Sequence, residues 1–249
     1  MAKIFYRLVV LSLLLAPTLA LSSPGDLAFN ASDLEGVQGT SEDARGSKLS
    51  PEPSEKQQAG STIVWKPRVV GAPAERVGGA VRGSRARATP MALVPNHLGL
   101  TSKSAPSLFW HLDAAAPDGV EIVFTLVDEK GEVPLVEAGL KPPMRAGVQR
   151  VRLADYGVEL EPGQAYTWSV ALVPDMEDRS QDRISLGLLQ RTEMSGKLPS
   201  NADEFAARGL WYDALEALSD AVDAEPENLN AQARRRSLLT QAGLTLGAD

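Results

Sequence analysis

The chain has 249 residues, 43% hydrophobic but only 5% aromatic, so it can build an aliphatic core of ordinary domain size. It contains no cysteine, which excludes a disulfide scaffold, a thiol nucleophile, a cysteine zinc site and iron–sulfur ligation. Its two histidines, His97 and His111, stand fourteen residues apart, which rules out a three-histidine metal site and an H-E-x-x-H helix.

The N-terminus places Lys3 and Arg7 ahead of an apolar run, Leu8 to Ala16. Pro17 closes the run, and small residues follow at Thr18 and Ala20. This is the pattern of a secretory signal peptide over residues 1–20, cleaved near Ala20. The run is too short to span a hydrocarbon core of about 30 Å comfortably. The mature chain is therefore expected in the periplasm or outside the cell, without a transmembrane helix. Loss of Lys3 and Arg7 takes the net charge from −7 to −9, which argues against nucleic-acid binding.

Residues 21–61 are rich in Ser, Gly, Glu and Pro, with Phe29 the sole aromatic. Such a segment buries too little apolar surface to offset its ordering entropy and reads as an acidic, disordered tether. Residues 62–90 form a basic Gly/Pro-rich arm: Lys66, Arg68, Arg76, Arg82, Arg85 and Arg87 face only Glu75. Gly78-Gly79 lacks the spacing of a phosphate loop. The arm either lies on the acidic body of its own chain or contacts an anionic surface or an acidic partner. In the second case Arg68, Arg76 and Arg82 are candidate contacts, effective only within about 8 Å.

Residues 91–198 read as a β-domain. Strands are predicted at Met91–Val94, Ser107–Leu112, Val120–Val127, Val133–Ala138, Gly147–Leu153, Ala165–Val173 and Ile184–Met194. Alternation places Val120, Ile122, Phe124 and Leu126 on one face, and Tyr166, Trp168, Val170 and Leu172 on another. Asp128-Glu129-Lys130-Gly131 supplies a hairpin turn. Short strands without intervening helical periods predict a mainly β protein, an immunoglobulin- or fibronectin-like sandwich lacking the disulfide. Trp110 and Trp168 are its expected core, each able to contribute roughly 4–6 kcal/mol by burial.

Residues 199–249 switch to helical period. Asn201 and Glu204 make a capping-box start. Trp211, Ala214, Leu215, Leu218, Ala221 and Val222 fall on one helix face, ended by Pro226. Asn228 caps a further helix to about Ala242, stopped at Gly243. Ala214, Leu218, Ala221 and Pro226 match the spacing of the second helix of a tetratricopeptide repeat, with a shortened helix before it. The tail packs on the sandwich, forms a peptide-binding groove or caps a repeat protein in trans; Trp211 and Tyr212, if exposed, are the candidate partner-binding residues.

In order along the chain stand Trp65-Lys66-Pro67, Gly71-Ala72-Pro73, Arg76-Val77-Gly78-Gly79 and Leu93-Val94-Pro95 with His97-Leu98-Gly99-Leu100-Thr101. Then come Phe109-Trp110, Tyr166-Thr167-Trp168, Asp178-Arg179-Ser180 and Gly209 with Trp211-Tyr212-Asp213-Ala214-Leu215. This ordered set, over residues 62–245, resembles the DUF928 family of bacterial proteins of unknown function. The resemblance implies a Gram-negative envelope and brings no activity with it.

The residues themselves offer little catalysis. No G-x-S-x-G elbow is present, and Ser102 near His97 lacks a placed acid. His97 reads as a hydrogen-bonding loop residue and His111 as a surface one. Asp175, Glu177, Asp178 and Asp182 crowd one loop, but Arg179 and Arg183 sit among them, which favours a salt-bridged loop over a calcium site. The chain is therefore expected to be a non-enzymatic envelope interaction protein with a protein partner and no cofactor. The alternative is a small-ligand or glycan-binding sandwich that uses His97, Asp178 and Arg179.

Overall fold

A computed structural model describes residues 62–68, 88–141 and 145–246. All of them belong to one compact unit, Lys56–Asp249. The expected signal peptide, the tether and the 69–87 part of the basic arm, with Arg76 and Arg82, lie outside the described residues.

Two sheets share one apolar core. The smaller joins β1 (Pro90–Ala92), β3 (Ser107–Leu112) and β6 (Gly147–Arg152) in the order β1-β3-β6. The larger joins β2 (Gly99–Thr101), β4 (Glu121–Asp128), β5 (Val136–Leu140), β7 (Ala165–Val173) and β8 (Arg183–Arg191) in the order β2-β8-β7-β4-β5. The chain enters by serving both sheets in turn. β1 pairs antiparallel with β3, residues 93–98 cross over, and β2 pairs parallel with β8. The other pairings between these strands are antiparallel. Tyr166, at the start of β7, accepts a hydrogen bond from the Glu161 amide at 2.8 Å, the tyrosine-corner device of immunoglobulin-like sandwiches.

The alternation read from the sequence is the alternation of the core. Ile122, Phe124 and Leu126 of β4 face Tyr166, Trp168, Val170 and Leu172 of β7, all buried. Trp110 and Trp168 are fully enclosed. Gly131 closes the β4–β5 turn at φ 64°, and the Asp128 carboxylate accepts from the Lys130 and Gly131 amides. β2 was not foreseen, because three residues carry no readable period.

His111 departs from expectation. It does face away from Trp110, yet it is buried. The outer face of this sheet is itself covered: the Arg150 guanidinium lies 5.2 Å from the Phe109 ring centre and is tied to the helical tail. His111 stands farther along that face, between its cross-strand partners Met91 and Val148.

The tail forms α1 (Ala202–Ala207), α2 (Trp211–Ala224) and α3 (Leu229–Gln241). Asn201 caps α1 by accepting from the Glu204 amide at 3.0 Å, while Glu204 reaches back to the Ser200 amide, one residue beyond the position of a standard capping box. Asn228 caps α3 through the Ala231 amide. The α2 stripe is buried as far as Leu218, but Ala221 is exposed and Val222 half-buried.

Candidate functional site

The start of α2 carries three consecutive side chains, each bonded to a different part of the sandwich. The Trp211 indole donates to the Leu93 carbonyl at 2.9 Å. The Tyr212 hydroxyl donates to the Leu188 carbonyl at 2.9 Å and accepts from the Trp168 indole at 2.9 Å. The Asp213 carboxylate accepts from the Ser102 amide at 3.0 Å and its hydroxyl at 2.6 Å. Trp211 and Tyr212 are fully buried. Burial pushes the Tyr212 hydroxyl well above its ordinary pKa. As candidate partner-binding residues they are therefore corrected: they hold the tail onto its own sandwich. Leu215 and Leu218 continue the same core.

Carboxylates extend this seam. Burial raises the Asp213 carboxyl, against the lowering pull of Ser102, Thr101 and Lys103. Burial alone would raise Glu216 as well, but Lys103 and Ser107 outweigh it and hold its pKa below the ordinary value. Glu216 binds Lys103 and Arg150, each at 3.0 Å. Arg150 also bridges to Asp220.

Residues 62–68 lie across the tail as an extended strap. Ile63 and Trp65 point inward, and Trp65 meets Trp211 edge to face at 5.1 Å. The Gln241 side chain clamps the strap twice, donating to the Ile63 carbonyl and accepting from the Trp65 amide, both at 2.9 Å. The Lys66 amide donates to the Ala206 carbonyl at 3.1 Å. Close passage over the α1–α2 corner requires Gly209. Its φ is 73°, and a Cβ there would stand 2.7 Å from Arg68 Cγ. Lys66, Pro67 and Arg68 are left exposed.

A cavity of about 370 Å³ opens between the strap, the crossover and the end of α3. Trp65, Pro67, Pro95, Asn96 and His97 line it. His97 is nearly buried, with its Nδ1 3.2 Å from the Asn96 side-chain oxygen. Ser102 lines a different cavity, beside Arg191 and Phe205, so His97 and the Ser102–Asp213 pair do not converge. Asp178 and Arg179 are on the exposed β7–β8 loop and line neither cavity. The Ser180 side chain and amide both donate to Asp178, which lowers its pKa, and Arg179 pairs with Asp182. The loop is thus salt-bridged, as its arginines suggest. Arg183 instead enters β8 and donates to the Ala88 carbonyl. Among the described residues no group of three His, Asp or Glu is placed to hold a metal ion.

The sequence pointed to Lys66 and Arg68 through charge. It did not show the clamp, because Gln241 lies 176 residues from Trp65 and carries no motif.

Residues 77–248 match the family model described as Domain of Unknown Function (DUF928). No curated protein matches the chain. Among solved structures, the fn3 domain of the human collagen alpha-1(XX) chain is 14% identical and covers 50% of this chain and 99% of its own, with a TM-score of 0.25.

Proposed function

The chain belongs to the DUF928 family, and we propose that it is an exported, non-catalytic interaction protein of the bacterial cell envelope. In this reading the sandwich and the helical tail form a rigid platform for a protein partner. The observation that carries it is the three-residue seam at Trp211, Tyr212 and Asp213. It fixes the tail to the sandwich and leaves the strap presented on a rigid support. Rigid support lowers the ordering cost of binding a partner. The signal-peptide pattern of residues 1–20 supports export. The separation of His97 from the Ser102–Asp213 pair supports a non-catalytic role, since nucleophile, base and orienting acid must converge to act.

The test is in-cell photo-cross-linking. A photoreactive residue at Lys66 is compared with one at Val133, on the far side of the β4–β5 turn. The expected result is a discrete adduct from the Lys66 position in the envelope fraction. Retention of the chain in the cytoplasm, or no adduct from either position, would overturn the reading.

A further inference from the structure

We propose that the outer face of the strap docks an extended acidic segment of a protein partner. The inference rests on the interaction reading above and names the surface and the chemistry.

The strap alternates as a strand does. Ile63 and Trp65 face the tail, while Val64, 56% exposed, and Lys66 face out. Arg68 continues the exposed side, its stem passing over Gly209. Arg208, half-buried beside that glycine, adds a third cation to the corner. Among the described residues, Lys66, Arg68 and Arg208 have no carboxylate partner. By contrast, Lys103, Arg150 and Arg234 each have one. Val64 has no main-chain hydrogen bond to a described residue, so the strap offers backbone groups as well as charge. Gln241 and Ala206 already hold the strap straight, so a partner need not order it.

These features fit an extended peptide held mainly by side chains, because Gln241 and Ala206 already bond the main chain at Ile63, Trp65 and Lys66. An extended peptide laid along the strap presents side chains to it at every second residue. Val64, Lys66 and Arg68 then call for an apolar residue followed by two acidic ones, each separated by one position. Arginine suits carboxylates because its guanidinium donates in a fork. A narrow chain fits better than an anionic plane. The protein carries a net charge of −7, so a broad anionic surface would also meet the repulsion of its acidic body. A peptide within about 8 Å of the corner avoids most of that.

The test uses the whole mature chain and a fluorescein-labelled peptide, Ser-Val-Ser-Glu-Ser-Glu-Ser, read by anisotropy. Its comparators are the same peptide with Lys for Glu, a scrambled acidic peptide, polygalacturonate, and phosphatidylglycerol vesicles. The Val-x-Glu-x-Glu peptide should bind best and weaken as salt rises. The Lys66→Gln, Arg68→Gln double variant keeps polar stems at exposed positions and should lose about tenfold in affinity. A Lys130→Gln, Lys141→Gln control should lose nothing. Unchanged melting of both variants ties the loss to charge. Absence of binding at low salt, equal binding of the Lys peptide, or indifference to the double variant would overturn the proposal. So would equal binding of the scrambled peptide, or tighter binding of polygalacturonate or vesicles. An adduct from the Lys66 position in cells with any of these failures would leave the interaction reading standing and remove only the acidic peptide.

Discussion

Replacing Tyr212 by Phe removes one oxygen from the seam and should be costly for that reason alone. The ring is fully buried and keeps its packing, so no cavity larger than a hydroxyl opens. What changes is the pairing of two other groups. The Leu188 carbonyl loses a donor but remains an acceptor with a second lone pair. The Trp168 indole loses its acceptor and is left with a buried N–H. Gly187 packs against that nitrogen so closely that an added Cβ would stand 2.7 Å away, which hinders a replacement water. A net hydrogen bond contributes about 1 kcal/mol and a stranded buried donor costs about 1–3, so the loss should be roughly 2–3 kcal/mol. For a unit of this size that is a fall in Tm of about 4–12 °C. Urea unfolding followed by tryptophan fluorescence should show a lower midpoint at unchanged slope. A double-mutant cycle with Trp168→Phe gives the sharper reading, because deleting the indole removes the stranded donor. The two losses should then fall short of additivity by more than about 0.5 kcal/mol. Strict additivity, or a Tyr212→Phe loss below about 0.5 kcal/mol, would refute the bridging role.

Three further outcomes follow from the same contacts. Gly209→Ala meets both a left-handed φ of 73° and Arg68 Cγ at 2.7 Å; it should cost about 1–3 kcal/mol and speed hydrogen exchange at the Lys66 amide. Asp213 and Glu216 should show opposite pH slopes in urea titrations between about pH 3 and pH 7. Burial raises the Asp213 carboxyl, so its contribution is fullest at low pH and is lost as pH rises through the folded value; Asp213→Asn should gain on the parent as pH increases. Glu216 sits below its ordinary value despite burial, so its contribution is present at neutral pH and lost as pH falls through the folded value; Glu216→Gln should flatten the acid limb.

Much of the fold was legible because its signals are local. The spans Ser107–Leu112 and Ala165–Val173 match the strands residue for residue: the first is a short run rich in Leu, Phe and Trp bounded by Pro106 and Asp113, and the second alternates between an apolar face and a more polar one. The caps at Asn201 and Asn228 were readable because a cap is defined within four residues. What escaped depends on distance. His111 looked exposed because alternation tells which face a residue takes and not what covers that face. The strap escaped for the same reason: its inward residues, Ile63 and Trp65, find Gln241 and Trp211 at the opposite end of the chain. Charge at Lys66 and Arg68 survived as a signal because exposed cations do not depend on which element lies beneath them.

The seam also decides where a partner can bind. Successive residues of a helix turn by about 100°, so Trp211, Tyr212 and Asp213 fan over roughly 200° of the α2 circumference. They can all be bonded only if the helix start is surrounded. It is: Leu93 of the crossover, Leu188 of β8 and Ser102 beyond β2 approach from three sides. Trp211 through Leu215 are buried without a break, a pattern that an amphipathic helix lying on a surface does not produce. Gly99 tightens the fit, since a Cβ there would stand 2.7 Å from the Tyr212 ring. Peeling the tail away would expose two large aromatic rings and strand several polar groups together. The aromatic pair that gives the sequence its binding-site look is therefore a joint. A partner must approach faces the joint leaves open, and among these the strap combines a fixed backbone with exposed cations that no described carboxylate neutralises.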